Sequence, residues 1–192
     1  MKFTLLISAL LLAASVQAAP AVCTFDYLAK GTTLTWKAFK TPKKVGVSAK
    51  FTKFKITAKK NPTLAELLSS ASFSIEPSAI DTGDKARDMK IFQFFFKKMM
   101  KNKKITGKVI SATDSEVSME LEMNGVKKVV PLTAKYDESV SLLTLNGSID
   151  VLEFSMKENL EALTKACFEK HEGVTWPNVE LELVAGITKS CK

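Results

Sequence analysis

Apolar and polar side chains alternate with a period of two over most of this chain. Glu116–Met123 shows it most cleanly: Val117, Met119, Leu121 and Met123 fall on one side, and Glu116, Ser118, Glu120 and Glu122 on the other. Such alternation predicts a strand with one buried and one wet face. Asn124-Gly125 follows at once, the pair that tolerates the positive φ angles of a two-residue hairpin turn. A returning strand is predicted over 126–134. Pro131 marks an irregular or edge-like position in it, because proline brings no N–H to a ladder. The same period recurs in Leu34, Trp36 and Ala38, in Val45, Val47, Ala49 and Phe51, in Phe73 and Ile75 of 72–76, in Ile105, Gly107 and Val109, and in Val179, Leu181 and Leu183 of 178–185. Two segments change phase. One moves from Phe51 to Phe54, Ile56 and Ala58 across Thr52-Lys53, and the other, 139–152, flips at Leu142-Leu143. A one-residue flip is what a bulge or corner produces, and it curves a sheet towards closure.

Three stretches break the alternation. Residues 64–68, after Asn61-Pro62-Thr63 and with Glu66 in the first turn, read as a short helix. Residues 156–169 read as a longer one with Leu160, Leu163, Ala166 and Cys167 on one face. The third, 81–100, is the densest. Turn residues Asp81-Thr82-Gly83-Asp84 lead into Lys85-Ala86-Arg87-Asp88, then Phe92, Phe94, Phe95 and Phe96, and close on Lys97-Lys98 and two methionines. With Asp84 as N-cap this is a short helix placing Phe92, Phe95 and Phe96 on one face, an amphipathic plug that needs an apolar pocket. The count is about eight strands, with no alternation of strand and helix that would signal a parallel sheet. The fold class predicted is therefore mainly β: an eight-stranded antiparallel barrel with short helical insertions and one helix before the last strand. The interior of such a barrel is either just filled by side chains or holds one small ligand.

Residues 1–18 have the form of a secretory signal peptide: Met1-Lys2, an apolar run over 5–14, and small residues in Val16-Gln17-Ala18 before the cut. The run is too short to span a bilayer. Pro20-Ala21-Val22 before Cys23 does not suit lipidation, so a soluble, periplasmic or secreted domain is expected over 19–192. The net charge is +8, almost all of it lysine, with Arg87 the single arginine. Readers of nucleic acid lean on arginine, and an exported protein does not meet it, so no nucleic acid is expected as partner. The charge suits a soluble surface, and its sharper reading is peripheral contact with an anionic membrane surface. Of three cysteines, an oxidising compartment pairs two and leaves one. Three pairings are open. Cys23 opens the first strand and Cys191 closes the last; in an up-and-down barrel of even strand count these ends are neighbours, which favours Cys23–Cys191.

Catalytic chemistry finds no support. His171 stands alone between Glu169 and Glu172, without convergent metal ligands. There is no Gly-rich phosphate loop, and no Ser-His-Asp or Cys-His arrangement in a recognisable context. No enzyme activity, metal or cofactor is expected. Arg87-Asp88 reads first as a structural ion pair or cap, and otherwise as part of a site where Arg87 and Lys90 meet a phosphate or carboxylate head group.

The strand through Trp36 is followed in order by Val45-Gly46-Val47-Ser48-Ala49-Lys50-Phe51 and by Asp81-Thr82-Gly83 leading into Arg87-Asp88-x-x-Ile91 and Phe94-Phe95-Phe96. Ile105-Thr106-Gly107-Lys108-Val109 and Met123-Asn124-Gly125-Val126-Lys127-Lys128 come next. In this order and spacing the chain resembles the YceI-like family of exported, lipocalin-like proteins, over essentially all of 19–192. The resemblance implies a barrel whose lumen holds a long-chain amphiphilic lipid, a polyisoprenoid or a fatty-acid-like molecule, and it allows a homodimer. The family pattern often carries a histidine two residues after the Arg-Asp pair, where this chain has Lys90. The expected function is a periplasmic carrier, with Trp36, Phe51, Phe54, Phe73, Phe92, Phe95, Met119 and Leu121 on the tail and Arg87 and Lys90 nearest the head. The alternative is a ligand-free structural or stress-related interaction protein whose barrel is packed solid. An apolar void would distinguish the two.

Overall fold

The computed structural model describes residues 22–99 and 103–192; the expected signal peptide and Met100 lie outside the described residues. The fold is mainly β, a curled antiparallel sheet of ten strands. In chain order these are β1 (Cys23–Lys40), β2 (Val45–Phe51), β3 (Phe54–Thr57), β4 (Ser72–Ile75), β5 (Ile80–Asp81), β6 (Ile105–Ala112), β7 (Glu116–Met123), β8 (Val126–Asp137), β9 (Leu142–Asp150) and β10 (Thr175–Cys191). Their order across the sheet is β3-β4-β6-β7-β8-β9-β10-β1-β2-β5. The sheet is thus ten-stranded where about eight strands are expected from pattern. The segment read as one strand with a phase flip divides at Thr52-Lys53 into β2 and β3, and the two-residue β5 has too few residues to show a period.

That division is what curls the sheet. β2 lies near one end of the strand order and β3 at the other, and only Thr52-Lys53 separates them in the chain. The corner is held by backbone bonds from Thr52 N–H to the Ala79 carbonyl (2.8 Å) and from Glu76 N–H to the Lys53 carbonyl (3.0 Å). Apolar faces of strands on both sides of the corner therefore look into one interior.

The β7–β8 hairpin turns at Asn124 (φ 54°) and Gly125 (φ 75°), as its sequence requires. Pro131 pairs with Ser118 of β7, whereas the ladder to β9 begins only at Leu132. Its missing N–H falls at an edge-like position, where no ladder bond is lost.

Three boundaries differ from the pattern reading. The strand expected over 139–152 is shorter: Ser141 (φ 55°) belongs to the turn after β8, and Val151–Phe154 winds into a 3-10 turn. The phase change at Leu142-Leu143 therefore marks where the turn enters β9, with Leu142 left exposed, and is not a bend that curves the sheet. The helix expected over 156–169 breaks at Cys167 into α3 (Lys157–Ala166) and α4 (Phe168–His171), which follow α1 (Leu64–Ser69) and α2 (Lys85–Phe94) in the chain. The last strand runs well past the expected 178–185 at both ends, because a long ladder to β1 carries it.

The helices cover the two ends of the curled sheet. α1 begins with a capping box, Thr63 Oγ1 accepting from Glu66 N–H and the Glu66 carboxylate accepting from Thr63 N–H, and buries Leu64, Leu67 and Leu68. It sits at the end where β1 starts, since Phe25 and Asn61 exchange backbone bonds of 2.7 and 3.1 Å just before it. α2, α3 and α4 gather at the opposite end, where β1 finishes at Lys40 and β10 begins.

Cys23 stands directly opposite Cys191 in the β1–β10 ladder, and the two form a disulfide across a sequence separation of 168. Cys167 is the free thiol among the described residues. Replacing both bridge cysteines by serine is expected to lower the unfolding free energy by about 2–4 kcal/mol, read by urea denaturation. Unfolded, unreduced protein should titrate one thiol per chain with Ellman's reagent; three would contradict the pairing.

Candidate functional site

The end opposite α1 is built around α2. Asp84 caps it, its Oδ1 accepting from the Ala86 and Arg87 amides at 2.9 and 3.1 Å. Arg87 and Asp88 both grip Thr82. Arg87 donates from Nε to Thr82 Oγ1 (2.9 Å) and from Nη2 to the Thr82 carbonyl (2.8 Å). Asp88 Oδ1 accepts from Thr82 N–H (2.8 Å) and Oγ1 (2.7 Å). Burial works to raise the Asp88 carboxyl, but the Thr82 hydroxyl and amide and the Lys85 ammonium outweigh it and hold its pKa below the ordinary value. The pair thus fastens the turn to the helix, with two of the five Arg87 donors committed there.

α2 ends at Phe94, and Phe95 and Phe96 leave it through a short 3-10 turn. What holds this departure is Asn159 of α3. It is buried, and its Nδ2 donates to the Phe95 carbonyl at 2.7 Å, pairing an acceptor the helix end would otherwise leave buried and unmatched. From there four rings connect plug to sheet. Phe95 meets Phe96 edge to face (centroids 5.1 Å apart), Phe96 meets Phe51 of β2 (6.0 Å), and Phe51 meets Trp36 of β1 (6.3 Å).

These rings form part of the wall of an apolar cavity of about 420 Å³ inside the curled sheet. Its lining on β1 runs from Leu34 to Lys40, roughly 20 Å of strand at 3.3 Å per residue, and at its far end it reaches Ala71 and Ser72 beyond α1. The space is therefore long as well as apolar. Of the expected tail contacts, Trp36, Phe51, Phe54, Phe73, Phe95, Met119 and Leu121 line it, as do Arg87 and Lys90. Phe92 does not: it is half-buried against the core and sits off the cavity. The face of α2 turned inward carries Arg87 and Ile91, with Phe95 following as the C-cap, and Phe92 is rotated from Ile91 by one residue step of about 100°. The expected tail contacts did not include Val117 and Met123, although the pattern places them on one face with Met119 and Leu121, nor Leu160 and Leu163 of α3, which close the space from the helical end.

Gly107 explains how the cavity stays open beside so large a residue as Phe73. The two are directly paired across β4 and β6, and a Cβ on Gly107 would lie 2.4 Å from the Phe73 ring. The missing side chain lets the ring lie against the sheet.

Asp84, Lys90 and Lys170 are exposed and yet line the cavity, so the cavity meets solvent there. Lys40, Arg87 and His171 stand at the same opening, contributed by β1, α2 and α4. His171 Nδ1 lies 2.7 Å from Thr175 Oγ1, which is 2.8 Å from Thr164 Oγ1. Burial lowers the His171 pKa from its ordinary 6.5, and Lys40 and Lys90 push it the same way. The imidazole is thus neutral when folded at neutral pH. Nothing in the sequence placed it there; the break at Cys167 swings α4 round to the opening. Lys90 occupies the family's histidine position, and the chain's one imidazole reaches the same rim from another helix. Among the described residues no group of three or more His, Cys, Asp or Glu could hold a metal ion, and no helix is long and apolar enough to cross a membrane.

Residues 25–185 match the model of the YceI-like domain. The chain belongs to the YceI-like family. Solved structures share the fold. A polyisoprenoid binding domain from Saccharophagus degradans superposes with a TM-score of 0.61 at 15% identity, covering 88% of this chain and 99% of that one. BcnA of Burkholderia cenocepacia gives 0.59 at 17% identity, covering 85% and 99%. The Campylobacter jejuni YceI protein gives 0.50 at 17%, covering 76% and 85%. Among curated proteins none matches the chain in sequence.

Two outcomes are expected. Phe95→Ala should lower stability by about 3–5 kcal/mol, as loss of a buried ring at the helical end of the aromatic run; an unchanged denaturation midpoint would show the plug to be a loose lid. For His171, a base whose folded pKa is lowered, the unfolded chain binds more protons below about pH 6.5. Its contribution is complete above that pH and is lost as pH falls through the lowered folded value. Thermal melts at pH 7.5 and 5.0 should therefore converge more closely in His171→Gln than in the parent.

Proposed function

We propose that this protein is a periplasmic carrier that holds a long-chain amphiphile, a polyisoprenoid or similar lipid, with its tail in the cavity. The observation that carries the reading is the cavity itself. It is apolar, long and about 420 Å³, within the roughly 300–1,000 Å³ usual for ligand sites. A barrel evolved only to be packed would fill that space, since protein interiors normally reach crystal-like density. The likeness in fold to a polyisoprenoid binding domain supports the same reading. Affinity comes from burial, at about 25 cal/mol per Å² of apolar surface removed from water, with Met119 and Met123 able to adapt to a flexible chain. A periplasmic site of action is supported by the signal-peptide pattern of residues 1–18 and by the Cys23–Cys191 disulfide, which suits an oxidising compartment. Exposed Lys90 and Lys170 stand at the opening. They would be the side turned to an anionic membrane surface when lipid is exchanged.

The test is uptake by delipidated protein. A radiolabelled polyprenol short enough for the cavity should bind with one site per chain. Leu181→Asp, on the half-buried wall, should weaken uptake by at least about tenfold, because a carboxylate in an apolar lumen must be desolvated. No uptake of polyprenol or fatty amphiphile by folded parent protein would contradict the carrier reading.

A further inference from the structure

The opening of the cavity carries more positive charge than its neighbourhood can use. Lys40 comes from the end of β1, Arg87 and Lys90 from α2, and Lys170 from α4, all lining the one cavity. The carboxylates in that lining are Asp84 and Glu182. Asp84 Oδ1 is already taken by the α2 amides. Glu182 faces Thr35 across the β1–β10 ladder and accepts its hydroxyl at 3.3 Å. Arg87 gives two of its five donors to Thr82. Lys40, Lys90 and Lys170 form no salt bridge among the described residues. Four cations against two carboxylates leave the lining net positive, and the excess of like charge is an arrangement that an arriving anion relieves.

His171 completes the set. Its Nδ1 is engaged by Thr175, which leaves Nε2 as the ring atom without a protein partner among the described residues. In the charged ring both nitrogens donate, with Thr175 accepting from Nδ1–H. The charged ring, which an arriving anion favours, therefore offers Nε2–H as a donor to the opening. The charged groups bearing on the ring are Lys40 from β1 and Lys90 from α2, with Lys170 adjacent in α4 and Asp84 close enough to Lys170 to feel its charge.

We propose that this opening is a site for a phosphorylated head group, so that the amphiphile bound is a phosphate ester whose head rests among Lys40, Lys90, Lys170 and His171. The proposal rests on the carrier reading and adds the head chemistry to it. Lysine serves as a point-charge phosphate binder, and three of them with an imidazole donor suit a dianion better than an alcohol or a quinone carbonyl.

His171 is the only histidine in the chain, so its ring proton signals in NMR report on the opening alone in tag-free protein. Delipidated protein is titrated below micellar concentrations with dodecyl phosphate, dodecanoate, dodecanol and, separately, inorganic phosphate. Dodecyl phosphate should bind at least about tenfold more tightly than dodecanol, the scale of one good charge-assisted contact, with dodecanoate between them. It should also raise the His171 pKa, which dodecanol leaves unmoved. The double variant Lys90→Gln/Lys170→Gln should bring the phosphate-to-alcohol ratio down to within about threefold. Equal binding of phosphate and alcohol with an unmoved His171 pKa overturns the head-group site and leaves the carrier reading standing. No binding of any dodecyl compound overturns both. Inorganic phosphate that raises the His171 pKa as strongly as dodecyl phosphate overturns the lipid-head form, because the anion then needs no tail.

Discussion

A curled sheet with an apolar inner face has two ends, and at each the chain must keep water from the interior without filling it. That constraint organises the molecule. At one end α1 buries three leucines beneath a capping box. At the other a single run of aromatic rings, Phe95 to Phe96 to Phe51 to Trp36, binds the helical cover to the sheet. The run works only if α2 stops where it does, and two buried amides hold that end in place. Asn159 takes the carbonyl at which α2 ends. Asn124, at the tip of the β7–β8 hairpin, donates to the carbonyls of Phe154 and Ser155 at 3.3 Å, tying the turn that leads into α3. Phe154 and Met156, on either side of that turn, are fully buried.

The same constraint separates the opening chemically from the lumen. Inside, the wall is aliphatic and aromatic, with Gly107 recessing Phe73 so that space survives. At the rim, lysines from β1, α2 and α4 converge, and the one imidazole is held neutral by its partial burial and by those lysines. A long apolar slot with a cationic edge is suited to a molecule with a long tail and a small charged head. In the carrier we propose, removal of the tail from water supplies the binding energy and the rim selects among heads.

Much of this was legible in the sequence, for physical reasons that differ by element. The strand faces were readable because a side-chain period of two is imposed by the pleat, so Met119 and Leu121 on β7 or Trp36 on β1 fall inward once any neighbour does. The Asn124-Gly125 turn and the Asp84 cap were readable because each depends on a residue type with few substitutes. The disulfide followed from the ends of the first and last strands lying side by side. Phe92 was misplaced because periodicity shows which residues share a helical face but not which face meets the cavity: α2 presents Arg87 and Ile91, and Phe92 lies one residue step away. The phase change at Leu142-Leu143 looked like curvature because a tight turn and a bulge leave the same mark in a pattern. His171 was invisible as a rim residue, since its place depends on the break at Cys167.

The central claim is that the lumen is a ligand chamber. Native mass spectrometry of the protein purified from its own cells, without detergent, tests it most directly. The account predicts a population heavier than the bare chain by the mass of one long-chain amphiphile, which collapses to the bare chain mass on gentle activation. A single species at the bare mass, from cells in which such lipids are abundant, would contradict it.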